Sequence, residues 1–120
     1  MRNEKPNPAK DKSYLFSLRI IKLYRYLCES KREYVLSKQL VRSGTSIGAN
    51  VEEAVGAQSR KEFGAAKMSI AYKECREAHY WLRLLRDSEY LTPQQAESIL
   101  EDCDELCKII GRIVRSSLRQ

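Results

Sequence analysis

The most informative segment of the chain reads LSKQLVRSGTSIGANVEEAV and runs from Leu36 to Val55. Its apolar residues recur at intervals of three and four, as on one face of an α-helix, and this period passes without slipping through Gly44 and Gly48. Each glycine lowers helix propensity by about 1 kcal/mol, which close packing of a neighbouring helix can offset. The competing interpretation is a loop over residues 43–45. We favour one continuous helix, approached closely by another helix at its two glycines.

Three further helices are predicted by the same periodicity, over residues 12–29, 60–87 and 93–118. No segment alternates apolar and polar residues as a β-strand would. Four helices joined by short links predict an all-α protein, an antiparallel up-down-up-down four-helix bundle. We assign residues 11–120 to this bundle. Residues 1–10 contain two prolines and no hydrophobic period, so we expect them to form a disordered tail.

Several residues have the spacing of helix ends. Gly56 stands where a left-handed C-cap belongs, and Ser59 precedes Glu62 with the spacing of a capping box. The segment Thr92-Pro93-Gln94-Gln95 is a second capping box, with proline at the first helical position. These signals predict the end of the second helix and the starts of the third and fourth.

The predicted helices carry more apolar surface than one small bundle can bury. A monomer would expose the excess as an interaction patch, so we expect copies of the chain to associate. The excess consists of a second stripe on the first helix (Tyr14, Leu18, Ile21, Cys28) beside the core stripe (Phe16, Ile20, Leu23, Leu27), and of a band on the third helix (Met68, Tyr72, Cys75, Leu82).

Length and composition restrict the class of protein. The 120 residues suffice for one domain, and no run reaches the ~20 apolar residues that span a bilayer. We therefore expect no membrane partner. Four cysteines without the pattern of a secreted disulfide scaffold, and no apolar leader, favour the cytoplasm. The first 42 residues hold eleven basic and four acidic side chains, so they carry the whole positive surplus of a chain with net charge +6.

Signals for an enzyme or a metal centre are weak. His79 has no partner that would make it a catalytic base, and Arg76 stands where a di-iron bundle needs glutamate. Cys103 and Cys107 are one helical turn apart and could share a metal, but no histidine or further cysteine accompanies them locally. Small core side chains are the better interpretation of these two and of the other cysteines. We expect no enzymatic activity, no metal and no cofactor.

One carboxylate falls within an apolar face. Glu74 lies in the middle of the apolar arc of the third helix, and an unpaired buried charge there would cost several kcal/mol. Arg42, Ser43, Ser46 and Asn50 on the second helix are its candidate partners. We favour a buried polar network of Ser46, Asn50 and Glu74, which sets the register of the helices or a subunit interface, over a catalytic site.

Two long runs resemble a known family. They are LSKQLVRSGTSIGANVEEAVGAQSRKEF, residues 36–63, and KMSIAYKECREAHYWLRLLRDSEYL, residues 67–91. Both are similar to the bacterial four-helix-bundle family whose founding members are encoded by intervening sequences within 23S ribosomal RNA genes. A more distant similarity is to the accessory variability protein of diversity-generating retroelements, which partners a reverse transcriptase and nucleic acid. The resemblance implies a homopentameric ring with a central channel and no established enzymatic activity.

Two hypotheses of function follow. The first is a ring-forming, non-enzymatic bundle that binds the backbone of RNA or DNA through pooled basic side chains, without sequence specificity. The second is a protein–protein scaffold or adaptor, with a reverse transcriptase or another protein as partner. Under the first hypothesis, the expected phosphate contacts are Arg19, Lys22, Arg25, Lys31, Arg32, Lys38 and Arg42.

Overall fold

The computed structural model describes residues 5–57 and 59–118. It consists of helices α1 (Pro8–Glu29), α2 (Leu36–Gly56), α3 (Lys61–Asp87) and α4 (Pro93–Leu118), without a strand in these ranges. The prediction of an all-α protein is confirmed. Across the described residues, no helix has a stretch both apolar and long enough to pass through a bilayer.

Each helix packs against the helices that precede and follow it in the chain. In the described residues α1 contacts α2, α2 contacts α3, α3 contacts α4, and α4 closes more loosely on α1, while the diagonal pairs do not meet. Between α2 and α3, Arg42 pairs with Glu77 while Glu53 pairs with Lys67, so the two helices run in opposite directions. The same crossed order of contacts makes the other neighbours antiparallel: Ile20 and Ser13 of α1 meet Gly44 and Gly48 of α2, Lys12 and Arg19 of α1 pair with Glu105 and Asp102 of α4, and Tyr72 and His79 of α3 meet Gly111 and Asp104 of α4. The predicted bundle is confirmed.

The two glycines of α2 mark its contact with α1. A Cβ atom added at Gly44 would lie 2.9 Å from Cγ2 of Ile20, and one added at Gly48 would lie 3.3 Å from the carbonyl oxygen of Ser13. The helix is unbroken through both positions. The continuous helix and its close neighbour are confirmed, and the alternative of a loop over residues 43–45 is wrong.

Helix ends agree with the sequence signals only in part. Thr92 and Gln95 form the predicted reciprocal cap of α4, with N–H to side-chain oxygen distances of 2.9 and 3.2 Å. The prediction of a left-handed cap at Gly56 is wrong, because Gly56 has no positive φ and belongs to the helix. The C-cap residue is Ala57, whose φ is −105° and whose N–H donates to the Ala54 carbonyl. The Ser59 capping box is wrong as well, since Arg60 occupies the N-cap position of α3 without a side-chain bond.

Helix α1 begins earlier than predicted. Asn7 is its N-cap, accepting a hydrogen bond from the Lys10 N–H at 3.1 Å, and Pro8 follows in the first turn. Residues 8–10 are therefore helical rather than part of a disordered tail, because proline suits a first turn where no N–H partner is needed. The expectation for residues 1–4 lies outside the described residues.

The extra apolar band of α3 belongs to the core of this chain. Met68, Cys75 and Leu82 are buried, and the Tyr72 ring lies against Gly111 of α4. Because α3 packs on both α2 and α4, it needs two apolar stripes, and the prediction that this band is an exposed interface is wrong. The exposed apolar side chains of α1 are Tyr14, Leu15 and Leu18.

Candidate functional site

Five of the seven predicted phosphate contacts surround one end of the bundle. They lie in the second half of α1, in the connection to α2 and in the first turn of α2, within about 10 Å of this connection along the helix axes. All five are exposed, and none forms an ion pair with a carboxylate of the described residues. These residues, called the basic end below, are Lys22, Arg25, Lys31, Arg32 and Lys38.

Arg19 is engaged inside the molecule instead. Its guanidinium donates to the Asp102 carboxylate at 2.6 Å and to the Ser98 hydroxyl at 2.6 Å, both on α4. These bonds bridge the loosest helix pair of the bundle. The prediction that Arg19 binds phosphate is not supported by this arrangement, because a carboxylate already neutralises its charge.

Arg42 likewise ties two helices together. Its guanidinium donates to Glu74 at 3.3 Å and to Glu77, and Glu77 also accepts the indole N–H of Trp81 at 3.1 Å. With two carboxylates around one guanidinium, the local charge is negative. Arg42 is therefore a poor phosphate contact and an effective link between α2 and α3.

The predicted polar network exists as two separate groups. Glu74 is 8% exposed and pairs with Arg42, one of the partners expected from the sequence. Asn50, equally buried, instead donates to the Ser46 carbonyl at 2.8 Å and hydroxyl at 3.1 Å within α2. The structure does not bring Ser46 and Asn50 into hydrogen-bond contact with Glu74.

One carboxylate near the basic end is directed inward. Glu33 is buried and accepts hydrogen bonds from the N–H groups of Val35, Leu36 and Ser37 at 2.7 to 3.2 Å. Burial by itself raises the pKa of Glu33, but the three backbone donors outweigh it and the pKa lies below its ordinary value. The Glu33 carboxylate thus binds the N-terminus of α2 and does not pair with the cations of the basic end.

A second polar site joins α3 and α4. Cys75 of α3 meets Cys103 and Cys107 of α4, and the three sulfur atoms lie within 4.8 Å of one another. Cys75 and Cys103 are fully buried, whereas Cys107 is half-buried and lines a crevice of about 330 Å³ together with Arg76, His79, Arg83 and Asp104. Only the pair on α4 could be recognised from the sequence, because Cys75 is brought beside it by the way in which α3 packs on α4.

Electrostatics distinguish the three thiols. Hydrogen bonds with Cys103 and then Cys75, assisted by the nearby His79 and Arg76, lower the pKa of the Cys107 thiol to about 4. The bond with Cys107, followed by the bond with Cys75 and by burial, raises the pKa of Cys103. The bond with Cys103 lowers the pKa of Cys75, but the bond with Cys107 and burial outweigh it, so the pKa of Cys75 is raised as well. Cys107, beside the crevice, is therefore the thiol of the cluster whose pKa is lowered.

Comparisons with known proteins agree on a family. The family model described as 23S rRNA-intervening sequence protein matches residues 6–112. A crystal structure of a protein of unknown function from the S23 ribosomal protein family of Bacteroides thetaiotaomicron superposes with a TM-score of 0.84 and is 49% identical, covering 88% of this chain and 97% of that chain. None of the curated proteins matches this chain.

Proposed function

The chain belongs to the 23S rRNA-intervening sequence protein family, and we propose that it is a non-enzymatic bundle that assembles into a ring and binds the backbone of RNA or DNA. The observation that carries the proposal is the basic end, where five exposed cations gather without a carboxylate partner among the described residues. When such cations neutralise the phosphates of a nucleic acid, the counterions condensed on the nucleic acid are released. This release drives binding without sequence preference.

Association of several copies would strengthen this binding. Tyr14, Leu15 and Leu18 lie near one another on α1 and are 60, 63 and 50% exposed, although each is largely apolar. A surface of this kind is stabilised by contact with another protein surface. The pentamer implied by the family resemblance would combine five chains of net charge +6, and a ring would hold their basic ends at fixed spacing.

We place this function in the cytoplasm. The four cysteines are free thiols in the structure, and free thiols persist in a reducing compartment where ribosomal RNA or a reverse transcriptase would also be met. The basic end requires no cofactor for phosphate binding.

The experiment compares two variants of equal charge. In the first, Lys22, Arg25 and Lys38 of the basic end become alanine; in the second, Lys61, Lys73 and Arg112, exposed elsewhere, become alanine. Fluorescence anisotropy of a labelled RNA hairpin and a DNA duplex is measured over a series of salt concentrations. We expect the first variant to bind more weakly and to lower the slope of log K against log salt by about 2 to 3, and the second to change the slope little.

Two results would count against the basic end as the binding site. If the unmodified chain binds neither nucleic acid at low salt, the proposal is wrong. If the two variants weaken binding equally, net charge rather than the basic end carries the attraction.

The second candidate function is a scaffold or adaptor for another protein. The exposed Tyr14, Leu15 and Leu18 favour it, because the same apolar surface could dock a partner such as a reverse transcriptase. Recovery of one stoichiometric protein partner that resists nuclease treatment, from cells that express this chain, would favour the scaffold. Loss of that partner in Leu15→Lys but not in Lys22→Ala would assign the contact to the apolar surface.

A further inference from the structure

We propose that Cys75, Cys103 and Cys107 form a binding site for one Zn²⁺ ion between α3 and α4. The site is independent of the basic end, which lies on α1 and α2. Thiolate sulfur is the preferred donor for zinc in proteins, and zinc sites with three protein ligands leave a fourth position open. Three thiol sulfurs already lie within 4.8 Å of one another here.

Helix geometry explains why the three sulfurs converge. Cys103 and Cys107 are separated by one turn of α4, so both side chains lie on the same face of that helix. The antiparallel α3 places Cys75 opposite the midpoint of this turn, and its sulfur lies 2.7 Å from that of Cys107. Cys75 and Cys103 each also direct the thiol to the other's carbonyl oxygen, at 3.7 and 3.6 Å. These contacts bring the two helices close together at the cluster.

The distances suit a zinc ion after small side-chain rotations. Zinc–sulfur bonds of about 2.3 Å in tetrahedral geometry separate the sulfurs by about 3.8 Å. The closest pair, 2.7 Å apart, must move apart by about 1 Å, and all three sulfurs already lie within 4.8 Å of one another. Rotation about the Cα–Cβ bonds of the cysteines supplies such a movement without displacing a helix.

The surroundings provide entry and charge compensation. Cys107 lines the crevice, through which an ion and water can reach the cluster, and His79 lies beside it with Nε2 2.9 Å from the Asp104 carboxylate. Three thiolates around Zn²⁺ leave one net negative charge. Arg76 and Arg83 line the same crevice and are placed to offset it. The fourth coordination position faces this crevice.

The test uses Co²⁺ as a spectroscopic probe on the full, reduced chain without oxygen. We expect one Co²⁺ per chain, with thiolate-to-metal charge-transfer absorption and the strong visible bands of tetrahedral cobalt. Zn²⁺ should then abolish these bands and raise the midpoint of thermal unfolding. Cys107→Ser should weaken binding by at least about tenfold. Cys28→Ser, which removes the cysteine outside the cluster, is the matched control and should leave binding unchanged.

Two results would overturn the zinc site. One is the absence of charge-transfer absorption in the unmodified chain, a result that depends on no variant. The other is an equal loss of affinity in Cys107→Ser and Cys28→Ser, with circular dichroism showing that both variants are folded. If air forms a Cys75–Cys107 disulfide while the reduced chain takes up no Co²⁺, the cluster is a redox pair and the zinc proposal is wrong.

Discussion

At the scale of single residues, Glu33 has a role that its position in a polar link does not indicate. The N-cap residue of α2 is Val35, which offers no side-chain acceptor. The Glu33 carboxylate replaces a conventional cap and binds the first N–H groups of the helix from two residues upstream. A negative charge at this position is also stabilised by the dipole of α2.

This role predicts a pH-dependent stability. The pKa of Glu33 in the folded chain is lower than the value of 4.5 expected without the fold. Its stabilisation is therefore complete above the unfolded-state pKa and is lost as the pH falls through the folded-state pKa. Glu33→Gln should lower the free energy of unfolding by about 2 kcal/mol at neutral pH. In urea titrations this difference should shrink as the pH falls below 4.5, and a constant difference would contradict the assignment.

Gly44 and Gly56 predict opposite effects of the same substitution. An alanine Cβ at Gly44 would press on the buried Ile20, so overpacking should outweigh the gain in helix propensity and destabilise the chain by up to about 2 kcal/mol. At Gly56 no atom of the residues that the structure describes lies within 4 Å of the added Cβ, and Gly56→Ala should stabilise the chain by up to about 1 kcal/mol. Thermal unfolding of both variants measures the contrast. Equal shifts of the unfolding midpoint in the two variants would mean that the packing of α1 on α2 does not require a glycine at position 44.

At the scale of helices, the chain turns away from α3 through Glu89, two residues beyond the last residue of the helix, in the left-handed conformation. Its φ is 69°, and the next N–H, that of Tyr90, donates to the Leu85 carbonyl at 2.9 Å. This bond is typical of a Schellman cap, where glycine is the usual residue. Glu89→Gly should therefore stabilise the chain by up to about 1 kcal/mol in chemical denaturation. A destabilised Glu89→Gly variant would show that the glutamate side chain has a stabilising contact of its own.

The pairing of α2 with α3 predicts a coupled effect. Arg42→Met leaves the buried Glu74 without its cation and should destabilise the chain by about 2 to 4 kcal/mol. Replacing Glu74 by leucine in the same chain should recover part of this loss, because no buried charge then remains. Urea unfolding of the single and double variants completes the cycle. Additive effects would show that the two side chains do not interact.

Local patterns predict what is local in this fold. The periodicity of α2 and the capping residues of α4 act within one or two turns, so the helices and the Thr92 cap could be predicted from the sequence. The partners of Arg19 and Cys75 lie on α4, far along the chain, and only the packing of the bundle brings them together. The prediction of an exposed band on α3 failed for the same reason, since the periodicity does not show how many neighbours a helix has.

At the scale of the whole molecule, the proposed function depends on association of several copies of the chain. The bundle presents an exposed apolar surface on α1 and a basic end beside it. Arg19 and Arg42 form ion pairs within the molecule, so these two cations are less available to phosphate than those of the basic end. We propose that the apolar surface assembles copies of the chain, so that their basic ends act together on one polyanion.

Sedimentation velocity of the purified chain with a labelled RNA hairpin tests this claim most directly, because it follows protein assembly and RNA binding in one experiment. At low salt we expect the RNA to sediment with an oligomer of the chain, and we expect Leu15→Lys both to dissociate the oligomer and to weaken RNA binding. A chain that sediments as a monomer at micromolar concentration, with the RNA unbound in the same centrifuge cell, would contradict this proposal.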